Sequence, residues 1–304
     1  PIPVSLRFPD VASTEETAWQ EQVIAHLRVP DWERIEIGDE LDFLGEVARG
    51  VLRRHGLLWP PNAHFHVPMF RVARGGCLFT GLDGDGLLGA WRWSRPQSVL
   101  AGRARPRPTD ALRIGLALTP PVARRLVRSR QPLPPVTWLR PAAHQEFARL
   151  WVRESAAEPR RWDRRMTWYA RRRYLGLARH SLGLVAAAEG ADVRHPLTDR
   201  TFLAALARDG GRAGWGDRTQ TMAALFCDLL PPAVVSRRGK AEFGRAFWRT
   251  QARSFAERWD GTGVDHDLVD PDRLRAAWAA DNPVFASVTP LQGAWLATVA
   301  RTSP

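Results

Sequence analysis

The residues best suited to chemistry lie in one short loop. Asp83 and Asp85 stand among four glycines in the segment 81–89, shortly after the apolar residues 77–79. Glycines let backbone amides come close to an anion, and a carboxylate at the carboxyl end of a strand can hold the Mg²⁺ that accompanies nucleotide phosphates. The pattern predicts a metal-phosphate loop, although a plain surface turn between a strand and a helix has the same composition.

A second candidate is the single lysine of the chain. Of the 44 basic residues, 43 are arginine and only Lys240 is lysine. An ammonium group is a compact, flexible point charge and a guanidinium group is a planar fork, so the two differ as site residues. The exception favours a site that requires an ammonium group, although chance could also leave one lysine.

These segments resemble the synthetase domain of asparagine synthetases and of their relatives, the β-lactam synthetases and lasso-peptide cyclases. The loop 80–86 is similar to the family's Ser-Gly-Glu-Gly-x-Asp-Glu loop, and the segment 195–199 is similar to its Pro-Phe-Leu-Asp element. The segments 229–232 and 238–243 resemble its Leu-Pro and Arg-x-Lys-x-x-Phe signature. The order and spacing of these elements carry the resemblance, which covers nearly the whole chain.

The resemblance implies a role for each matching residue. Asp85 falls on the magnesium-binding aspartate, and Lys240 falls on the lysine that steadies the transition state and the pyrophosphate. The backbone around Leu6 and Gly81 would border the adenosine. The residues expected to bind the nucleotide are Leu6, Thr80, Gly81, Leu82, Gly84, Asp85 and Arg218.

Three positions depart from the family pattern. Leu82 stands where asparagine synthetases have a glutamate and β-lactam synthetases a tyrosine as part of the base, so Asp83 beside it is our candidate for the displaced base. Gly86 replaces the second acid of the loop, and Thr219 replaces a lysine, with Arg218 adjacent. The change at Leu82 weakens the expectation of plain asparagine synthesis.

The family's first nucleotide element, Ser-Gly-Gly-x-Asp-Ser, has no match in the sequence. Residues 1–8 have the pattern of the second strand of the fold, and the sequence does not open with Met. We therefore expect the missing strand, loop and helix to lie upstream of Pro1. The alternative is a homologue that lacks the loop and only binds.

The resemblance implies an ATP-dependent, amide-forming ligase. With ATP and Mg²⁺ it would adenylate a small-molecule or peptide carboxylate and transfer the acyl group to ammonia or an amine, releasing AMP and pyrophosphate. Three alternatives stay open: a glutamine-dependent asparagine synthetase seen without its amidotransferase part, a natural-product or lasso-peptide amide synthetase, and a non-catalytic relative.

Composition limits the class of protein and its partners. The chain has 304 residues, 44% of them hydrophobic, and a net charge of +12. That length can bury a proper core. Charge is the only broad support for nucleic acid, so we expect no nucleic-acid partner. No apolar run reaches the roughly 20 residues that span a bilayer, so we expect no membrane partner.

Cys77 and Cys227 lie in apolar segments, and we expect both thiols to be buried and unpaired. Unpaired cysteines favour a cytoplasmic protein.

One basic segment offers two interpretations. Residues 160–173 mix arginines with tryptophan and tyrosine, as a surface for nucleic acid or an acidic peptide would. A solvated helix face gives the same pattern more often. Arginine forks also suit acidic recognition in a peptide-using ligase.

The elements that must position these residues follow from hydrophobic periodicity. Strands alternating with helices over residues 1–90 predict an α/β fold with a parallel sheet, and the resemblance makes it the adenine-nucleotide α-hydrolase (ATP pyrophosphatase) type. Residues 91–304 are predicted to be mainly helical, and 1–304 to form a single asparagine-synthetase-like domain. Predicted strands cover residues 3–8, 33–37 and 77–79; predicted helices begin at a Ser13–Glu16 capping box and cover 41–52, 62–73, 144–154, 165–189, 219–230, 244–259 and 271–280.

Overall fold

Two small parallel sheets hold the strands, and helices form most of the rest of the chain. β1 (Val4–Arg7) pairs with β2 (Glu33–Glu36), and β3 (Cys77–Phe79) pairs with β4 (Asp192–Arg194). The predicted mixed α/β class with parallel strands is confirmed. The strands form two separate sheets, however, and β4 was not predicted, because Asp192–Arg194 has one apolar residue between two charged ones, whereas β3 is apolar throughout.

The computed structural model describes residues 1–89 and 91–302. Its α-helices are α1 (Thr17–Leu27), α2 (Glu46–His55), α3 (Val67–Val72), α4 (Gly84–Leu88), α5 (Ser94–Leu100), α6 (Asp110–Leu118), α7 (Pro121–Arg128), α8 (Pro141–Ala157), α9 (Trp162–Ala170), α10 (Arg173–Ala188), α11 (Arg200–Gly210), α12 (Arg218–Phe226), α13 (Pro232–Ser236), α14 (Gly244–Phe247), α15 (Thr250–Arg258), α16 (Pro271–Trp278) and α17 (Val288–Thr302). Within these described residues, no helix is long and apolar enough to cross a bilayer.

Two helices that the sequence predicts as continuous are broken in the structure. The predicted helix 165–189 is divided into α9 and α10, because Arg172 adopts an extended backbone with ψ of 128°. The predicted helix 244–259 is divided into α14 and α15 at Arg249, which is also extended. The first break is functionally relevant, since it lets a residue at the start of α10 meet one near the end of α9.

The predicted capping box at Ser13 is wrong. Helix α1 begins at Thr17, and the Ser13 hydroxyl instead donates a 2.9 Å hydrogen bond to the backbone carbonyl of Glu242. A true capping box occurs at Asp217, whose side chain accepts from the amide of Gln220 at the start of α12. The Ser13 hydroxyl is therefore engaged in a tertiary hydrogen bond to Glu242 and does not cap a helix.

The prediction of buried cysteines is also wrong. Cys77 and Cys227 are both free thiols, and both are exposed. Cys77 lies on β3, which pairs with β4 alone within residues 1–89 and 91–302, and its side chain and that of Phe79 are exposed. Cys227 directly follows the last residue of α12. Apolar neighbours in sequence therefore did not ensure burial of either thiol.

The described residues include three buried clusters, two of which contact the loop and the helix after it. The first joins the segment around Phe8 to the C-terminal helices through Phe247 and Trp278. The second contains Leu87 of α4 with α9 and α11, and the third packs α3 on α10 with Leu82 at its edge. The loop 81–86 therefore lies between two packed regions. The boundary at residue 90 stays a prediction.

Candidate active site

The loop begins with a hydrogen-bonded anchor after β3. The Thr80 amide donates to the Arg194 carbonyl at 3.0 Å, which extends the β3–β4 pairing by one residue. The Thr80 hydroxyl lies 2.7 Å from His195 Nδ1 and accepts from the Leu82 amide at 3.3 Å. These bonds hold the first turn of the loop, and α4 begins at Gly84 directly after it.

Lys240 and Asp85 form an ion pair although 155 residues separate them in sequence: Lys240 Nζ donates to Asp85 Oδ2. Both side chains are 71% exposed. Exposed ion pairs contribute no more than about 1 kcal/mol to stability. The pair is therefore free to exchange its partners for a ligand at little cost to the fold.

A cavity of about 720 Å³ opens at this ion pair. Arg218, at the start of α12, also lines this cavity and donates at 3.0 Å to the carbonyl of Arg237. The structure thus brings together several residues that the sequence singled out. The lining residues are Pro60, Asn62, Gly81, Asp83, Gly84, Asp85, Leu88, Arg218, Met222, Lys240 and Phe285.

Three predicted nucleotide contacts lie outside that lining. Thr80 is engaged with His195, and Leu82 packs against the third buried cluster. Leu6 lies in β1 and lines a separate, small cavity with Glu15 and Glu16. The predicted roles of Thr80, Leu82 and Leu6 toward the nucleotide stay predictions.

Asp83 is held by the only two tyrosines of the chain. Its Oδ2 accepts hydrogen bonds from the hydroxyls of Tyr169 and Tyr174, and Tyr169 also donates to the Asp83 carbonyl at 3.2 Å. Burial, together with the Asp83 carboxylate, raises the pKa of Tyr169 and raises that of Tyr174 to about 12. Both hydroxyls therefore stay protonated donors at neutral pH.

The backbone of Asp83 is left-handed, with φ of +58°. Aspartate tolerates this region better than most residues, and its presence shows that the surroundings fix the turn. The tyrosine contacts supply that constraint from outside the loop.

Gly86 explains one departure from the family pattern. A Cβ at this position would lie 2.7 Å from both Asp83 Oδ1 and the Tyr169 hydroxyl. The space that a second loop acid would need is therefore filled by the Asp83–Tyr169 contact. An acidic side chain at position 86 and the Asp83–Tyr169 hydrogen bond would therefore exclude each other.

A buried guanidinium group, that of Arg165, is hydrogen-bonded to the backbone at the end of the loop. Arg165 donates to the carbonyls of Gly86 at 2.9 Å and Leu87 at 3.1 Å, and pairs with Glu158 at 3.2 Å. Sequence reasoning placed Arg165 and Tyr169 in a basic surface segment and missed their contact with the loop. The available signal was that the two tyrosines of the sequence lie close together, Tyr169 within that segment and Tyr174 directly after it.

The donor set decides which kind of metal site is possible. Among the described residues, no group of three or more His, Cys, Asp or Glu side chains could hold a metal ion. Asp85 offers one exposed carboxylate at the cavity. Mg²⁺ commonly binds through one or two carboxylates with substrate phosphates and water, so the site suits magnesium carried by a nucleotide.

Comparison with known proteins gives a family. No curated protein matches the chain in a sequence search. The profile of the asparagine synthase family matches residues 3–295, which includes the loop, Arg218 and Lys240. The chain therefore belongs to the asparagine synthase family.

Proposed function

We propose that the chain is an ATP-dependent ligase that joins a carboxylate to ammonia or an amine through an acyl-adenylate, releasing AMP and pyrophosphate. We also propose that the chain has a fold of the ATP-pyrophosphatase type and that the protein is cytoplasmic, where ATP is available. The observation that carries the proposal is the Lys240–Asp85 pair at a cavity beside a glycine-rich loop. The membership of the family supports the reaction class.

In the first step the carboxylate of the substrate attacks the α-phosphate of ATP, and pyrophosphate leaves. Asp85 would hold Mg²⁺, which supplies positive charge against the phosphates when bound. Lys240 turns its ammonium group from Asp85 to the leaving pyrophosphate, and Arg218 faces the same cavity. Charges fixed where negative charge develops are the usual source of rate in such chemistry.

In the second step ammonia or an amine attacks the acyl carbon, AMP leaves, and the nitrogen loses a proton. Asp83 is the proposed base. Its Oδ2 is occupied by two tyrosine hydroxyls, whereas Oδ1 accepts no hydrogen bond from any described residue. Oδ1 is therefore the atom that can take the proton.

The first test measures nucleotide binding and needs no known carboxylate. Fluorescent mant-ATP should bind in the presence of Mg²⁺, and Asp85→Asn should weaken that binding about tenfold, since a charged contact contributes roughly 1.5–3 kcal/mol. Asp209→Asn is the matched control, because it likewise removes an exposed carboxylate from an ion pair, here one with Arg208. Equal binding by both variants would remove Asp85 from the site.

The second test measures the reaction. The protein is incubated with ATP, Mg²⁺, hydroxylamine and a panel of carboxylic acids, and pyrophosphate and hydroxamate are quantified. Hydroxylamine stands in for the amine and traps the acyl-adenylate. Pyrophosphate release together with hydroxamate supports the ligase; release of ADP and phosphate would contradict it.

A further inference from the structure

A second cavity, of about 810 Å³, lies on the other side of the loop. It shares Gly86 with the loop and is walled by Tyr169 and Tyr174, the two residues that hold Asp83. Its remaining lining is rich in arginine and tryptophan. These residues are Arg92, Trp93, Arg113, Leu116, Arg124, Arg128, Gln131, Trp151, Glu154, Ser155, Ala156, Glu158, Arg165, Trp168 and Arg172.

The charges of this lining do not balance. Glu158 pairs with Arg92 at 2.7 Å and with Arg165 at 3.2 Å, and Glu154 pairs with Arg172 at 2.7 Å. The lining also contains Arg113, Arg124 and Arg128, and none of them has a carboxylate partner among the described residues. Arg113 is exposed to solvent, so Arg124 and Arg128 are the lining cations that burial leaves without a counterion among the described residues.

Arg124 is the most informative of these. Arg124 is only 6% exposed, and its Nε has no hydrogen-bond partner in the described part of the chain. Its other contacts are a 3.2 Å hydrogen bond to the Glu158 carbonyl and the face of Trp93. A buried charge without a counterion is costly, so an anion in the cavity would complete the site.

The orientation of α7 points the same way. Val122 and Leu126 are 73% and 65% exposed, whereas Arg124 is buried and Arg128 is half-buried toward the cavity. A surface helix normally buries its apolar stripe and exposes its charges. Helix α7 instead exposes these two apolar residues and places Arg124 and Arg128 in the lining of the cavity, where both cations are available to a ligand.

We propose that this cavity binds a negatively charged group of the acyl substrate, a carboxylate or a phosphate additional to the carboxyl group that reacts. The inference rests on the proposed function and names its substrate class: an acidic molecule whose body lies against the tryptophans. Guanidinium forks match the oxygen pairs of carboxylates and phosphates. The reacting carboxyl group would then lie toward Asp83, which lines the first cavity and whose carboxylate accepts hydrogen bonds from Tyr169 and Tyr174 of the second.

The test is binding of small anions without ATP, measured by isothermal titration calorimetry. Adipate carries two carboxylates, hexanoate is its single-charge control, and inorganic phosphate tests the other oxyanion. Adipate should bind more tightly than hexanoate. Arg124→Gln and Arg128→Gln should each weaken adipate binding by about tenfold or more, as expected for a hydrogen bond to a charged group.

Arg125→Gln is the matched control, because Arg125 lies on the same helix, is exposed and is outside the cavity lining. It should bind adipate like the wild type. If circular dichroism shows that Arg124→Gln does not fold, half-buried Arg128 decides. Tighter binding of phosphate than adipate, with the same dependence on Arg128, assigns a phosphate group to the site.

Two outcomes overturn the inference: equal affinity for adipate and hexanoate, or equal affinity of the Arg125 and Arg128 variants for adipate. Magnesium-dependent binding of mant-ATP is measured on the same variants. Normal ATP binding with no anion preference defeats the inference alone. Anion binding at Arg128 with no ATP binding by the wild type defeats the proposed function and leaves an anion site.

Discussion

The two faces of the loop 81–86 are held in opposite ways. On one face, Asp85 meets Lys240 in an ion pair of which both members are 71% exposed. On the other, Asp83 is clasped by Tyr169 and Tyr174, which belong to a buried, aromatic and arginine-rich region. The first contact is exchangeable and the second is fixed.

This difference separates positioning from binding within one loop. A site that must release phosphates between turnovers needs charges that change partners cheaply, which exposed pairs do. The same loop must keep its shape while they change. Tyr169, Tyr174 and Arg165 supply that rigidity from the opposite face, so the shape of the loop does not depend on the Lys240–Asp85 pair.

A change on the exchangeable face should have the largest effect. Lys240→Arg keeps the charge but replaces a compact ammonium group with a planar fork. We expect pyrophosphate release to fall by about a hundredfold, as when a donor to developing charge is lost. Stability should stay within about 0.5 kcal/mol, because the pair is exposed.

The measurement is pyrophosphate release with a carboxylate found in the panel, beside urea denaturation of each variant. Arg208→Lys is the control, since it is a reciprocal exchange in another exposed ion pair. Near-normal turnover in Lys240→Arg would remove this lysine from the site.

Changing the fixed face should give a smaller effect of a different kind. Tyr169→Phe removes a donor to the Asp83 carboxylate and should lower kcat by about tenfold, since hydrogen bonds to charged groups contribute roughly 1.5–3 kcal/mol. The KM for ATP should change little, because Tyr169 lines the other cavity. A larger change in KM than in kcat would contradict the positioning role.

Tyr174→Phe and the double variant complete a cycle. Both hydroxyls donate to the same oxygen of Asp83, so either can partly replace the other. The double variant should therefore lose more activity than the two single losses predict when added. Strict additivity would mean that the two tyrosines act independently.

The smallest expected effect is a pH dependence of stability that arises from His64, a buried residue near the first cavity. His64 lies two residues after Asn62, which lines the first cavity. The His64 side chain is 3% exposed, and its Nε2 lies 3.2 Å from the Leu41 carbonyl oxygen. Burial lowers its pKa to about 4 from 6.5. The unfolded chain therefore binds the proton first as pH falls, and stability is lost between pH 6.5 and about 4.

By pH 5.5 the His64 contribution to this loss should reach about 1 kcal/mol, within a total difference in unfolding free energy from pH 7.5 to which half-buried His66, whose pKa is also lowered to about 4, adds. His64→Gln should reduce the difference by that amount. His26→Gln, which removes an exposed imidazole from α1, should leave it unchanged. Equal pH dependence in all three proteins would show that His64 is not protected in the fold.

The part of the site carried by sequence order was predictable. Asp85 and Lys240 lie in segments with strong local patterns, a glycine-rich turn and a lone lysine, and the structure brings them into contact. The Tyr169–Tyr174–Asp83 cluster was not predictable in this way. It depends on the break between α9 and α10 at Arg172, which periodicity alone reads as continuous helix.

The same limit applies to the fold and to the second cavity. Parallel strands and most helices follow from local periodicity, whereas the division into two sheets depends on which strands meet. The inward arginines of α7 have no sequence signal, because an amphipathic helix is expected to bury its apolar stripe. Burial of Arg124 is a property of the assembled cavity.

The solitary lysine has a practical consequence for studying the protein in solution. Lys240 is the only side-chain amine among 304 residues, and it is well exposed. Amine-directed acylating reagents would thus attach at one internal position, inside the cavity that we assign to the nucleotide. A chain with 43 arginines therefore offers a built-in attachment point for a fluorescent or isotopic reporter, and the rate of attachment would read out occupancy directly.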